Sequence, residues 1–270
     1  MEKIIILSVI LILNSIIIFF FDKISFFKFI IDKPDTKRKF HKKPTALAGG
    51  IILIINISFY YLYLLSNENY LYNEIFFKNF EELNLFIFSF FSIFFVGLLD
   101  DKFNFSPSLK FFLLFVIISI LIYLDQSVKI ENVNFSFEDK KFYLGDYSFI
   151  FTLFCFLVFI NAFNMFDGIN LQSSTYSIIV FLFLIFLDNS TILIIGLIFL
   201  LSFSYLNHNN KSFMGDNGSL LISFIIGYFF ISNGPLIFPG RIDRTWHQTY
   251  HIVRVRILVC RYCWLRTYTI

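Results

Sequence analysis

Four aspartates stand near glycines at the ends of long apolar runs, and they are the residues in this sequence best placed to do chemistry. Asp100 and Asp101 close the run Val96-Gly-Leu-Leu-Asp-Asp-Lys102. Asp167 lies in Asn161-Ala-Phe-Asn-Met-Phe-Asp-Gly168, and Asp216 in Phe213-Met-Gly-Asp-Asn-Gly-Ser219. Gly97, Gly168, Gly215 and Gly218 would let backbone approach a ligand closely. Oxygen donors with no His or Cys among them favour a hard cation such as Mg²⁺, with Mn²⁺ as a substitute, bridging one or two carboxylates to substrate phosphates. Such a site suits phosphoryl transfer, where catalysis is mostly positioning and neutralisation of charge. Any one of these aspartates alone reads as a solvated helix end. Drawn from three separate loops, they read as a set.

The elements that must hold them are membrane spans. Hydrophobic residues make up 57% of the chain and charged residues only 15%, which excludes an ordinary soluble domain. The apolar excess runs along most of the sequence, so a single anchor is excluded as well. A bilayer core of roughly 30 Å takes about 20 helical residues. On that basis about eight spans are expected: Ile4 to Phe21, Leu47 to Leu65, Leu83 to Leu99, Leu109 to Leu124, Phe149 to Phe166, Leu171 to Leu187, Thr191 to Leu206, and Leu220 to the Gly234-Pro235 break. The expected fold is an all-α polytopic membrane helical bundle. The first run is too long for a signal core and is read as a retained span. Cys155, Cys260 and Cys263 suggest neither a disulfide framework nor a zinc site.

Charge orients the bundle. The connection after the first span holds Lys33, Lys37, Arg38, Lys39, Lys42 and Lys43 against Asp32 and Asp35, which assigns it to the cytoplasm. Counting spans puts Asp100-Asp101, Asn164 to Asn170 and Asn207 to Gly218 on that same side, while the two larger loops on the other side are acidic. The net charge of +3 is explained by this rule, and no nucleic-acid partner is implied. In the second outer loop, Val133, Phe135 and Phe137 alternate with polar residues ahead of Phe142 and Leu144, the period-two signature of a small outer-side β-hairpin, with a disordered polar loop as the other reading.

The segment from Asp32 to Pro44 with Gly49-Gly50, the Asp100-Asp101 pair, Asn161 to Gly168, and Phe213 to Ser219 resemble, in order and spacing, four cytoplasmic motifs of the polyprenyl-phosphate N-acetylhexosamine-1-phosphate transferases. Together they cover about residues 1–231. Asn161 to Gly168 looks more like the branch that uses UDP-N-acetylhexosamines than the phospho-MurNAc-pentapeptide transferases of peptidoglycan synthesis, which stand as the alternative. The resemblance implies an inner-membrane enzyme that moves a sugar phosphate from a UDP-N-acetylhexosamine to polyprenyl (undecaprenyl) phosphate and releases UMP. Carried over by motif, Asp216 and Asp100 would bind the metal. Asp100 and Asp101 would be catalytic, by positioning the lipid phosphate or taking its proton. Asn164, Asp167 and Asn170 would hold the nucleotide. Lys33, Arg38, His41, Lys42 and Lys43 would contact phosphate, although positive-inside anchoring explains most of them. Oligomeric state, including a homodimer, is left open.

Two features depart from the pattern. Asn170 stands where the family usually has a second acidic residue, and Ala46 where a second proline is common. A larger departure is the ending. Six of the seven arginines and both tryptophans follow residue 240, so residues 1–235 are read as the transferase domain and 236–270 as an atypical basic tail, the product of a frameshift near Pro235 to Gly240. On that expectation His247, His251 and Cys260-x-x-Cys263 are accidents, and an inactive truncated remnant is a rival reading. A transporter is the other rival. It is disfavoured because transporters place ionisable residues near the midplane and show internal repeats, whereas here the spans from Leu109 to Leu124 and Leu171 to Leu187 are read as uncharged and no repeat is evident.

Overall fold

The computed structural model describes residues 2–24, 30–32, 44–67, 76–77, 79–134 and 141–233. Within them the apolar runs form eight helices: α1 (Glu2–Phe20), α2 (Gly49–Ser66), α3 (Phe80–Phe103), α4 (Pro107–Leu124), α5 (Ser148–Phe166), α6 (Gln172–Leu187), α7 (Thr191–His208) and α8 (Gly215–Ser232). Seven are long and apolar enough to cross a membrane. The other, α6, has 16 residues, which at 1.5 Å per residue reach only about 24 Å. The chain is thus a multi-pass all-α membrane protein. The eight expected spans correspond to seven full-length helices and one short one.

Local sequence explains where the helices start and stop. Asn79 caps α3 by accepting from the Glu82 amide at 2.8 Å, with Glu81 and Glu82 in the positive first turn and Lys102 in the last. Asn104, in the left-handed region at φ 50°, ends α3. The turn that follows is closed by Ser106, which caps α4, and by Pro107 at that helix's start.

The centre of the bundle is α8. Every residue from Asn217 to Phe229 is buried, which is the mark of a helix surrounded on all sides by protein. It packs against α2, α3, α5 and α6. At one end of the bundle Phe86, Phe224, Tyr228 and Phe229 form an aromatic cluster with Phe76 and Phe77. There the Tyr228 hydroxyl donates to Asp125 Oδ2 at 2.8 Å. Asn14 of α1 and Asn56 of α2 are both buried and hydrogen-bond each other at 2.6 and 3.3 Å. Such a pair supplies a polar link between helices that have no hydrophobic drive to associate in lipid.

Two small sheets cover the ends. Strands β3 (Asn132–Asn134) and β4 (Lys141–Tyr143) pair antiparallel with Val133 opposite Phe142, the expected hairpin, its tip lying outside the described residues. At the opposite end, β1 (Ile31–Asp32), β2 (Thr45–Leu47) and β5 (Ser212–Phe213) form a sheet in which β2 runs antiparallel to β1 and parallel to β5. The sequence reading did not anticipate this sheet. It ties the segment before α2 to the segment before α8, and so fixes the entry to Asp216. The tail, residues 234–270, lies outside the described residues, and so does the expected domain boundary.

Candidate active site

The end of the bundle bearing this three-stranded sheet also gathers the aspartates, because α3, α5 and α7 finish there while α4, α6 and α8 begin. Lys110, in the first turn of α4, is the hub. Its ammonium lies 2.7 Å from Asp100 Oδ2, 2.7 Å from Asp216 Oδ2 and 3.2 Å from Asn164 Oδ1. Asn164 uses its amide nitrogen to donate to Asp216 Oδ1 and to Ser219 Oγ, both at 2.7 Å. Asp100, only 7% exposed, accepts from the Phe105 amide through its other oxygen at 2.8 Å. Two carboxylates, an amide and one cation from α3, α4, α5 and α8 therefore converge.

Asp101, the neighbour of Asp100, faces another way. Its oxygens accept from the backbone amides of Asp216 at 2.9 Å and Asn217 at 3.0 Å, and from the Asn217 side chain at 2.5 Å. An α-helix leaves its first amides without partners and carries partial positive charge there. Asp101 satisfies both, and in doing so holds the backbone of Asp216 against α3. Asn217 extends the link by accepting from the Gly50 amide at 2.6 Å and donating to the Leu47 carbonyl at 3.3 Å.

The glycines serve packing more than ligand approach. A Cβ on Gly97 would lie 2.5 Å from Asn217 Cα, and one on Gly218 would lie 2.7 Å from Met214 Sδ, so the space expected for a ligand is filled by the chain itself. Gly215 has φ 71°, a left-handed conformation that favours glycine at the start of α8. Gly168 alone of the four has no atom within 4 Å of such a Cβ. Gly97→Ala is expected to push α3 and α8 apart, costing about 1–3 kcal/mol as overpacking does. Thermal unfolding in detergent is expected to occur several degrees lower.

Asp167 ends α5 near this cluster without joining it, accepting from Ser173 Oγ at 2.5 Å. Burial raises its pKa from the ordinary 3.8 to about 6, the charge of Asp216 adds to the rise, and the Ser173 bond opposes it. A carboxyl group raised in this way favours the folded state least when ionised, so its penalty is absent below about 3.8 and complete above about 6. Asp167→Asn is therefore expected to melt at a higher temperature than the wild type at pH 7.5, with a smaller gain at pH 5; an equal gain at both values would contradict this origin. Asn170 is exposed and donates to Asn210 Oδ1 at 2.7 Å. Lys33, Arg38, His41, Lys42 and Lys43 lie outside the described residues.

Lys110 is what the sequence reading missed, having taken Leu109 to Leu124 as an uncharged span. The available signal was a lone lysine one turn after Ser106-Pro107, at the start of an otherwise uncharged apolar helix and on the side where the aspartates lie.

Fold and site together define a polytopic membrane protein with an acidic cluster, bridged by a lysine, at one end of its bundle. Residues 83–234 match the model of glycosyl transferase family 4, more than half of the chain, and the protein belongs to that family. It is 28% identical over 225 residues to the undecaprenyl-phosphate alpha-N-acetylglucosaminyl 1-phosphate transferase of Salmonella typhi, an overlap of 79% of this chain and 58% of that protein. The protein of the same name from Yersinia pestis is 27% identical over 72% of this chain and 53% of its own length. A probable undecaprenyl-phosphate N-acetylglucosaminyl 1-phosphate transferase of Bacillus subtilis is 27% identical over 73% and 53%. The chain thus spans less than two thirds of the length of these relatives.

Proposed function

We propose that this protein transfers N-acetylhexosamine-1-phosphate from a UDP-sugar to polyprenyl phosphate at the cytoplasmic face of the inner membrane. The observation that carries the proposal is the meeting of Asp100 and Asp216 on one cation, beside Asn164, in a chain similar to enzymes named for that transfer. In the reaction, a terminal oxygen of the lipid phosphate bonds to the sugar-bearing phosphorus. The bond from that phosphorus to the bridging oxygen breaks, and the oxygen leaves with the nucleotide as UMP. A phosphate monoester has its second pKa near 6, so the nucleophile is already mostly ionised at neutral pH and needs no strong base.

The donor set fits a divalent cation. Asp100 and Asp216 present carboxylate oxygens to a common point, and Asn164 adds an amide oxygen at 3.2 Å from the same ammonium. Among the described residues no group of three or more His, Cys, Asp or Glu is placed to hold a metal; Mg²⁺ takes one or two carboxylates and completes its shell with water and phosphate. Bound there, Mg²⁺ or Mn²⁺ would neutralise charge on the diphosphate. The Lys110 ammonium holds that point, and a cation taking the same oxygens would displace it toward the phosphates, where its charge would add to the neutralisation. Asn164 orients Asp216, and Asp101 fixes the backbone on which Asp216 stands. Asp167 and Asn170 are assigned to the nucleotide, and Lys33, Arg38, His41, Lys42 and Lys43 to phosphate.

Membranes containing the full chain, incubated with undecaprenyl phosphate, Mg²⁺ and either UDP-GlcNAc or UDP-GalNAc, test the proposal. UMP is expected with at least one donor, and only when the lipid phosphate is present. Absence of UMP with every UDP-N-acetylhexosamine would contradict it.

A further inference from the structure

The connection from α5 to α6 carries Asp167 and Asn170, and its conformation is enforced from outside. Leu171, at the start of α6, has φ 67°, where the side chain of an L-residue crowds its own backbone, and no side chain caps the helix. Its amide donates instead to Asn207 Oδ1, from the last turn of α7, at 2.7 Å. Asn207 is 4% exposed, and its Nδ2 donates to the Ser212 carbonyl at 2.9 Å. Ser212 belongs to β5, and its hydroxyl meets the Ala48 amide and the Ala46 carbonyl, each at 3.2 Å. A second link, Asn170 to Asn210, joins the same two segments, and Asn210 is itself left-handed at φ 53°. Strained residues that persist in this way are over-determined by their surroundings and gather at ligand clamps.

We propose that Asn207 is a positioning residue for the nucleotide end of the donor, clamping Leu171 in its left-handed conformation so that Asp167 and Asn170 present to the nucleotide. The inference rests on the transferase reading above. Asn207 bonds Leu171 and Ser212, but β5 keeps its pairing with β2 and the Ser212 hydroxyl's bonds to Ala46 and Ala48 without it, and the bonds that gather Asp100, Lys110, Asn164 and Asp216 run through other residues. Loss of the clamp should therefore weaken donor binding and spare the chemical step. Without the clamp, Leu171 would relax toward negative φ and carry Asn170 and the first turn of α6 with it, including Ser173, which holds Asp167.

The test is steady-state kinetics on the full chain in membranes. Asn207→Ala is expected to raise the KM for the UDP-sugar about tenfold, leaving kcat within about threefold and the KM for polyprenyl phosphate unchanged. Adding Leu171→Gly, which takes the left-handed backbone without a clamp, should return the donor KM to within about threefold of wild type. A merely structural role would lower kcat and folded protein together and gain nothing from the glycine. An unchanged donor KM in Asn207→Ala, or no recovery in the double variant, would overturn the proposal. Should Asn207→Ala fail to accumulate, Leu171→Pro, which removes the donated amide and fixes φ at about −65° while leaving Asn207 bonded to Ser212, should give the same rise in donor KM, and an unchanged donor KM would overturn the proposal. A wild-type chain that releases no UMP sinks the transferase reading and this inference with it. That result is distinct from an active enzyme whose donor KM ignores Asn207.

Discussion

In the proposed transferase, Asp216→Asn is expected to lower UMP release by about a hundredfold to a thousandfold, on the scale seen when one preorganised charge-stabilising group is removed, while the protein still inserts and extracts normally. The substitution keeps the side chain's shape and removes its charge. It also replaces one accepting oxygen by a donor, and both Asp216 oxygens already face donors, Lys110 on one side and Asn164 on the other. A cation bound there would lose one of its two carboxylates. Rates of UMP release, normalised to protein recovered as a single species in detergent, provide the check. More than about a tenth of wild-type activity would be incompatible with a site centred on Asp216, since the named effect is ten to a hundred times larger.

The second large effect is expected at Lys110, and its sign is diagnostic. Lys110→Met leaves Asp100 and Asp216 facing each other without their shared cation. Turnover should fall about a hundredfold, because a charge that neutralises phosphate is gone. The Mg²⁺ concentration needed for half-maximal activity should fall as well, since the ammonium no longer competes for the same oxygens. Lys110→Arg is not expected to restore activity, because a guanidinium presents a planar fork where a compact ammonium is held. A variant with normal turnover and an unchanged metal requirement would show that Lys110 only buttresses the bundle.

Much of this arrangement is legible in the sequence. Helix number and positions follow from apolar run length, and the outer hairpin follows from the alternation around Val133 and Phe142. Asp100 and Asp216 could be paired in advance because both sit where spans meet the same side. What stayed hidden depends on contacts between distant segments. The roles of Asp100 and Asp101 are indistinguishable in a Gly-Leu-Leu-Asp-Asp run, since adjacent residues on a helix point about 100° apart. Only the approach of α8 decides which of them caps it. The same approach turns Gly97 and Gly218 from candidate ligand contacts into packing residues. The β1–β2–β5 sheet was invisible because strands of two or three residues carry no usable periodicity. Lys110 escaped notice because one charge is diluted in an apolar helix, and its two carboxylate partners lie 10 and 106 residues away along the chain. The lysine-rich connection and the arginine-rich tail, conspicuous in sequence, fall outside the described residues and remain expectations.

Among all these tests, the fate of the sugar-bearing phosphate is the most direct. UDP-GlcNAc labelled with ³²P on that phosphate, incubated with undecaprenyl phosphate, Mg²⁺ and membranes containing the full chain, should yield radioactive lipid and unlabelled UMP. Label that stays in the aqueous phase as UDP while sugar reaches the lipid would mean that the sugar alone moves, and that no phosphoryl transfer occurs between Asp100 and Asp216.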